Sequence, residues 1–241
     1  MRVRSLIGTV SLLQLYRAVC ALPTEQQQPL QSNGSPDVQA VQAALREAEI
    51  IPTVIDDFLP SLTLSVSWEK GEASLGNTIK PKHLQDPPSI TLHEDISPGI
   101  SDTHPTYVIT LTDPDAPSRQ NPKWSEMCHW IATNVSVTPR TFSILPLPEH
   151  GLVEQEISEQ TGPDDVIEYK PPGPPPKTGK HRYVFLVFAP RNGTTEPLHL
   201  SKPEDRQHWG GEKEGGVRDW AEANKLVPVA ANFVYSKSKK Q

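Results

Sequence analysis

The chain has 241 residues, a formal charge of −6, 35% hydrophobic residues, 6% aromatic residues and 26 prolines. The acidic balance and the lack of a basic stripe exclude a duplex nucleic-acid binder, whose affinity rests on Lys and Arg contacts to phosphate. So much proline argues against a helical bundle and for strands joined by stiff connections.

Residues 1–21 read as a secretory signal peptide. Arg2 and Arg4 precede the apolar run Leu6 to Tyr16, and Val19-Cys20-Ala21 offers small residues for cleavage after Ala21. The competing reading is an amphipathic extension on a cytoplasmic protein. The run is too short to span a bilayer and no second apolar stretch follows, so no transmembrane segment is expected. Cys20 leaves with the signal, and Cys128 alone offers neither a disulfide framework nor a Cys-rich metal site. Residues 22–37, rich in Gln, Pro, Ser and Asn, read as a flexible tether to a domain over 38–241.

Val38, Val41, Ala44, Leu45 and Ala48 recur at helical spacing, which predicts a short amphipathic helix from Val38 to Ile50, stopped by Pro52. From Leu62 the period becomes two: Leu62, Leu64, Val66 and Trp68 describe a half-buried strand. Ser89 to Leu92 is a weaker strand, Thr106 to Leu111 an apolar run ending at Asp113, and Cys128 to Ala132 a third short strand. His181 to Phe188 (HRYVFLVF) is apolar on both faces and therefore central and covered. Val217 to Lys225 reads as a helix, and Val227 to Tyr235 as a final extended segment. The basic residues Lys237, Lys239 and Lys240 read as a solvated, frayed tail. Strands dominate and do not alternate with helices, which excludes a doubly wound α/β fold. The fold class is mainly β, a sandwich with a few peripheral helices.

The run Asp113-Pro114-Asp115-Ala116-Pro117-Ser118-Arg119 carries the densest chemistry. Proline fixes the loop, so a ligand would order little there. The same run also suits a plain turn with exposed carboxylates. By strand alternation His129 shares a face with Met127 and Ile131, and His181 with Tyr183. A lone His on an apolar strand is more often a core residue than a ligand. Together, two carboxylates, two imidazoles and a phenol suggest one polar pocket for an anion. His, Tyr and backbone N–H groups would contact the anion, and the carboxylates would orient the imidazoles and raise their pKa, or would face an ammonium group on the ligand. Lys170 to Lys180 (KPPGPPPKTGK) is no Walker A loop, because its prolines remove the N–H groups a phosphate needs. It reads as a stiff loop delivering His181, in preference to a PxxP ligand for an SH3-type domain.

Several separate motifs agree on one resemblance. DPDAPSR, KWSEMCHW and GPPPKTGKHRYVFLVF resemble, in order and spacing, the signature blocks of the phosphatidylethanolamine-binding protein family. EIIPTVIDDFLP, SLGNTIKP and VAANFVYS are similar to its carboxypeptidase inhibitor branch. The resemblance spans residues 38 to 236. It implies a β-sandwich with a small anion pocket built from Asp113, Asp115, Pro117, His129, His181 and Tyr183. Two departures stand out: Cys128 where the family often has a second His, and Met127 where an aromatic is common. Cys128 is expected to point away from His129, which leaves the pocket intact.

The resemblance implies a non-enzymatic protein, expected as a monomer without cofactor. It would hold a phosphorylated headgroup or other small anion and regulate a partner, in the most specific version a serine carboxypeptidase. In that branch the N-terminal region contributes to inhibition. The rivals are a metal-dependent hydrolase built on the Asp and His residues, which lacks HxH or HExxH spacing, and a scaffold regulating signalling kinases. A serine hydrolase is disfavoured, since Ser118 lacks a nucleophile elbow. Asn33, Asn134 and Asn192 head Asn-X-Ser/Thr sequons and become candidate glycosylation sites if the chain is secreted, although Asn134 closes a strand and is expected to be buried as a structural Asn.

Overall fold

A computed structural model describes residues 38–94, 105–135, 137–139, 163–211 and 215–240. The expected signal peptide, the tether and Asn33 lie outside them. In chain order the elements are α1 (Val38–Glu47), β1 (Thr63–Trp68), β2 (Gly71–Glu72), β3 (Ser89–Glu94), β4 (Tyr107–Asp113), β5 (Met127–Val135), β6 (Val137–Pro139), β7 (Asp164–Ile167), β8 (Lys180–Pro190), α2 (Val217–Ala223) and β9 (Leu226–Lys237). Single 3-10 turns sit at Pro81–His83 and His208–Gly210.

The strands form two sheets, ordered β2-β1-β3-β6 and β7-β5-β4-β8-β9. All pairings are antiparallel except β3 with β6. Between the sheets, Leu62, Leu64 and Val66 pack with Ile109, Leu111, Phe185 and Val187. On the outer face of the larger sheet, Val108, Val184, Leu186 and Phe188 meet Val41 and Leu45 of α1 and Trp220 of α2. The central strands β4 and β8 are thus covered on both sides, which is why HRYVFLVF is continuously apolar. Each fully buried Leu, Val or Phe there contributes about 1.5–3 kcal/mol.

The expected helix from Val38 to Ile50 ends early. Glu49 adopts a left-handed backbone, with φ of 54°. The Ile50 N–H reaches back to Leu45 O at 2.8 Å and the Glu49 N–H to Arg46 O at 3.0 Å. This is a Schellman ending built without glycine. The expected extended segment near Val227 is the long strand β9. The basic tail is no frayed end: Lys237 is the last residue of β9, and the Lys240 carbonyl accepts the Lys177 N–H at 3.0 Å. Among the described residues no helix is long and apolar enough to cross a membrane.

Candidate functional site

Asp113 ends β4, where Pro114 stops further ladder donation. Its carboxylate is a hub. Oδ1 accepts the Asp115 N–H at 2.8 Å, Oδ2 lies 2.8 Å from His181 Nδ1, and the Tyr183 hydroxyl is within hydrogen-bonding reach. His181 and Tyr183 sit two residues apart at the start of β8 with their rings stacked, centroids 6.3 Å apart. His181 Nε2 lies 3.0 Å from Thr178 Oγ1, which itself donates to Pro175 O at 2.7 Å. Both His181 nitrogens are therefore engaged, one by the hub and one by the Pro/Gly segment. Burial, then Asp113, pushes the Tyr183 phenol well above its ordinary range, so it stays a neutral donor.

His129 joins this group through a register break. Leu111 pairs with Trp130 and Thr112 with Cys128, which leaves His129 as the extra residue of a β-bulge. Its ring stands edge-on to Tyr183, with centroids 5.3 Å apart. Nδ1 lies 2.7 Å from Lys170 O, so this nitrogen carries the proton and Nε2 is left as an acceptor. Burial pushes the His129 imidazole below its ordinary pKa and outweighs the upward pull of Asp113. The expectation that the carboxylates raise this imidazole is corrected accordingly. The bulge also overturns the expected shared face with Ile131, which packs in the outer core while Tyr183 belongs to the inner one. Cys128 does point away, into the outer core, and burial pushes its thiol up to about 12.

Asp115 turns elsewhere. It receives three hydrogen bonds from Arg182: from the backbone N–H at 2.8 Å, Nε at 3.0 Å and Nη2 at 2.7 Å. Arg182 Nη1 then reaches Ala48 O at 3.0 Å and Glu49 O at 2.8 Å, fastening the end of α1. Burial works against the Arg182 charge, but the Asp115 partner prevails and holds its pKa above the ordinary value. Asp115 therefore orients no imidazole directly. It braces the loop whose N–H feeds Asp113. Pro117 follows a cis peptide bond and is partly exposed at the far end of that loop.

The structure thus brings Asp113, His129, His181 and Tyr183 together and sets Asp115 and Pro117 behind them. All but Pro117 are nearly inaccessible: Asp113 is 3% exposed, His129 5%, His181 and Tyr183 1% each. The described donors do not converge for a cation, and no group of three His, Cys, Asp or Glu side chains among the described residues is arranged to hold a metal. Sequence reasoning missed Arg182, Thr178 and the Lys170 carbonyl. Arg182 had a signal, since a charged residue inside a covered apolar strand needs a buried counter-charge.

Two concavities flank the Pro81–His83 turn. The larger, about 500 Å³, is lined by Trp68, Lys70, Lys82 and His83 together with the acids Glu69 and Asp86. The smaller, about 300 Å³, is lined by Lys80, Pro81, Lys82, Gly173, Pro174, Ser238 and Lys239. The second borders the hub, because a backbone hydrogen bond joins Gly173 to the Tyr183 hydroxyl. Of the sequons, Asn192 is exposed in a turn, its Oδ1 accepting the Thr194 N–H at 3.3 Å. Asn134, expected to be buried, is exposed and directs its amide to Asp164.

The sequence profile of the phosphatidylethanolamine-binding proteins matches residues 69–234. The carboxypeptidase Y inhibitor of Saccharomyces cerevisiae is 32% identical over 205 residues, covering 79% of this chain and 91% of the yeast protein. The crystal structure of a carboxypeptidase Y inhibitor in complex with its cognate proteinase superposes with a TM-score of 0.64 at 27% identity, over 84% of this chain and 97% of the inhibitor. A phosphatidylethanolamine-binding protein from Plasmodium vivax shares the fold, with a TM-score of 0.58 at 20% identity over 86% of this chain and all of that one.

Proposed function

Since the chain belongs to the phosphatidylethanolamine-binding protein family, we propose that it is a non-enzymatic regulator that holds a small phosphorylated anion and inhibits a serine carboxypeptidase. The observation that carries the second half is the near full-length match to the yeast carboxypeptidase Y inhibitor. The first half rests on the hub. His181 presents Nε2 toward a hydroxyl, not a carboxylate, so an entering phosphoryl oxygen can take the place of Thr178. Tyr183 is a neutral phenol, and His129 Nε2 is an acceptor suited to the ammonium or hydroxyl of a headgroup. No side chain here is set as an activated nucleophile, because the Asp113–His181 pair is closed by its own hydrogen bonds. Passage through the secretory pathway, read from residues 1–21, would bring the protein to such proteases. A mature N-terminus at Leu22 and a glycan on Asn192 are its marks.

Calorimetric titration of the full chain with phosphorylethanolamine tests the anion site. Saturable binding is expected, weakened at least about tenfold in His181→Ala, roughly the loss of one charge-assisted hydrogen bond. Identical isotherms for both proteins overturn the assignment. Inhibition is tested by adding the protein in micromolar excess to a carboxypeptidase Y-type enzyme, where undiminished peptidase activity defeats that part of the proposal.

A further inference from the structure

The groove beside the hub has a charge opposite to that of the whole chain. The sequence carries −6, yet Lys80, Lys82 and Lys239 line the groove and no acid does. All three are exposed. Among the described residues none of their ammonium groups lies within ion-pair reach of a carboxylate. They come from two distant segments that the backbone holds in place. Ser236 Oγ donates to Ile79 O at 2.8 Å, which anchors the chain just before Lys80. The Lys177 N–H bonds Lys240 O at 3.0 Å, which anchors the chain just after Lys239. Gly173 and Pro174 form the remaining wall, and Gly173 is the residue that meets Tyr183. A concavity of about 300 Å³ is at the small end of ligand sites, enough for one phosphoryl group and part of a scaffold.

Unpaired lysines gathered around an acid-free groove lose nothing by admitting an anion, and their fixed backbones make the arrangement preorganised. The neighbouring larger cleft does not share this property, since Glu69 and Asp86 stand among its lysines. We infer that the Lys80–Lys82–Lys239 groove is a second phosphoryl subsite, so that the preferred ligand carries two phosphoryl groups, one at the hub and one at the groove. This deepens, and rests on, the reading of the hub as an anion site. A singly phosphorylated zwitterion such as phosphorylethanolamine uses the hub alone. The shared chemistry is a bisphosphorylated polyol, whether soluble or the headgroup of a lipid.

The test compares fructose 6-phosphate, fructose 1,6-bisphosphate and phosphorylethanolamine by calorimetry on the full chain and on its Lys80→Gln/Lys82→Gln/Lys239→Gln variant. These side chains are exposed, so the variant keeps its fold. The bisphosphate is expected to bind the wild type about tenfold more tightly than the monophosphate. Its affinity should fall more steeply with added salt, since more charges are neutralised. In the variant that preference disappears while phosphorylethanolamine binds as before. Equal affinities for the two sugar phosphates, or a preference that survives in the variant, overturn the second subsite. Phosphorylethanolamine binding that persists beside such a result leaves the hub reading intact. Bisphosphate binding in the absence of any phosphorylethanolamine binding overturns the hub reading and the bridged ligand together. Sedimentation with phosphatidylcholine vesicles carrying phosphatidylinositol 4-phosphate, absent with plain phosphatidylcholine, assigns the source to a lipid headgroup. Calorimetric binding without sedimentation assigns it to a soluble ligand.

Discussion

Two buried acids bracket the loop between β4 and β5, and they are held in opposite ways. Asp115 meets a guanidinium that satisfies both its oxygens. Glu126, 8% exposed, meets the Thr112 hydroxyl at 2.9 Å and the Val217 N–H at the start of α2; among the described residues no cation forms an ion pair with it, and Arg218, paired with Asp56, only pulls weakly from farther off. Trp209 completes that nest by donating to the Thr112 hydroxyl at 3.0 Å. Burial therefore raises the Glu126 carboxyl from 4.5 to about 8. Equal burial thus gives an ion pair at one end of the loop and a neutral acid at the other. A buried acid keeps its charge only where a partner compensates the lost water.

The largest expected effect separates the two by pH. The folded-state pKa of Glu126 lies above its unfolded value, so between pH 4.5 and about 8 the native state binds the extra proton. Stability then falls as pH rises through that window and levels off above it. At 1.36 kcal/mol per unit the loss is on the order of 5 kcal/mol. Denaturant unfolding from pH 4 to 9 checks this, and Glu126→Gln should flatten the curve. A curve unchanged by that substitution would place the proton elsewhere.

Removing the partner at the other end comes next. Asp115→Ala leaves the Arg182 charge buried and uncompensated, and unfolding free energy should drop by about 3–5 kcal/mol. A Gly216→Ala change presses on the neutral acid instead. A Cβ there would fall 2.1 Å from Glu126 Oε1, and overpacking of this kind lowers stability by about 1–3 kcal/mol. The φ of −154° at Gly216 is open to any residue, so the effect is one of space alone. The smallest effect belongs to the exposed counterpart of the Arg182 clamp. Arg119 pairs with Glu49 at 2.7 Å, joining the same loop to the same end of α1, but both side chains are exposed. Arg119→Ala should change stability by under about 1 kcal/mol, and less in high salt. A loss as large as that of Asp115→Ala would erase the distinction.

The elements legible in the sequence were those with a clean period. The alternation Leu62 to Trp68 became β1, the spacing Val38 to Ala48 became α1, and HRYVFLVF became the covered strand β8. Strands β2, β6 and β7 were not legible. They are two to four residues long, and β7 contributes two exposed aspartates, so neighbours and not propensity hold them. Six side chains were named for the site, and four of them converge. The role of Asp115 was hidden because its partner lies 67 residues away, and a turn motif says nothing about which cation faces it. The state of His129 was hidden because alternation assumes an unbroken ladder, and the bulge is set by pairing with β4.

That bulge changes the frame of β5 at His129, and a second register shift follows between Ala132 and Val135. Before it, Cys128 follows the outer core. After it, Trp130 and Ala132 follow the inner one, with His129 as the hinge between frames. A one-residue deletion here would mend the ladder and look conservative in length. It would leave Cys128 opposite Thr112 and Trp130 opposite Leu111, each on its present side of the sheet, but it would take the imidazole out of the hub. The residue count of β5 is therefore fixed by the place of the imidazole, not by the ladder alone. Length variation in this protein is therefore expected in its loops and never in this strand.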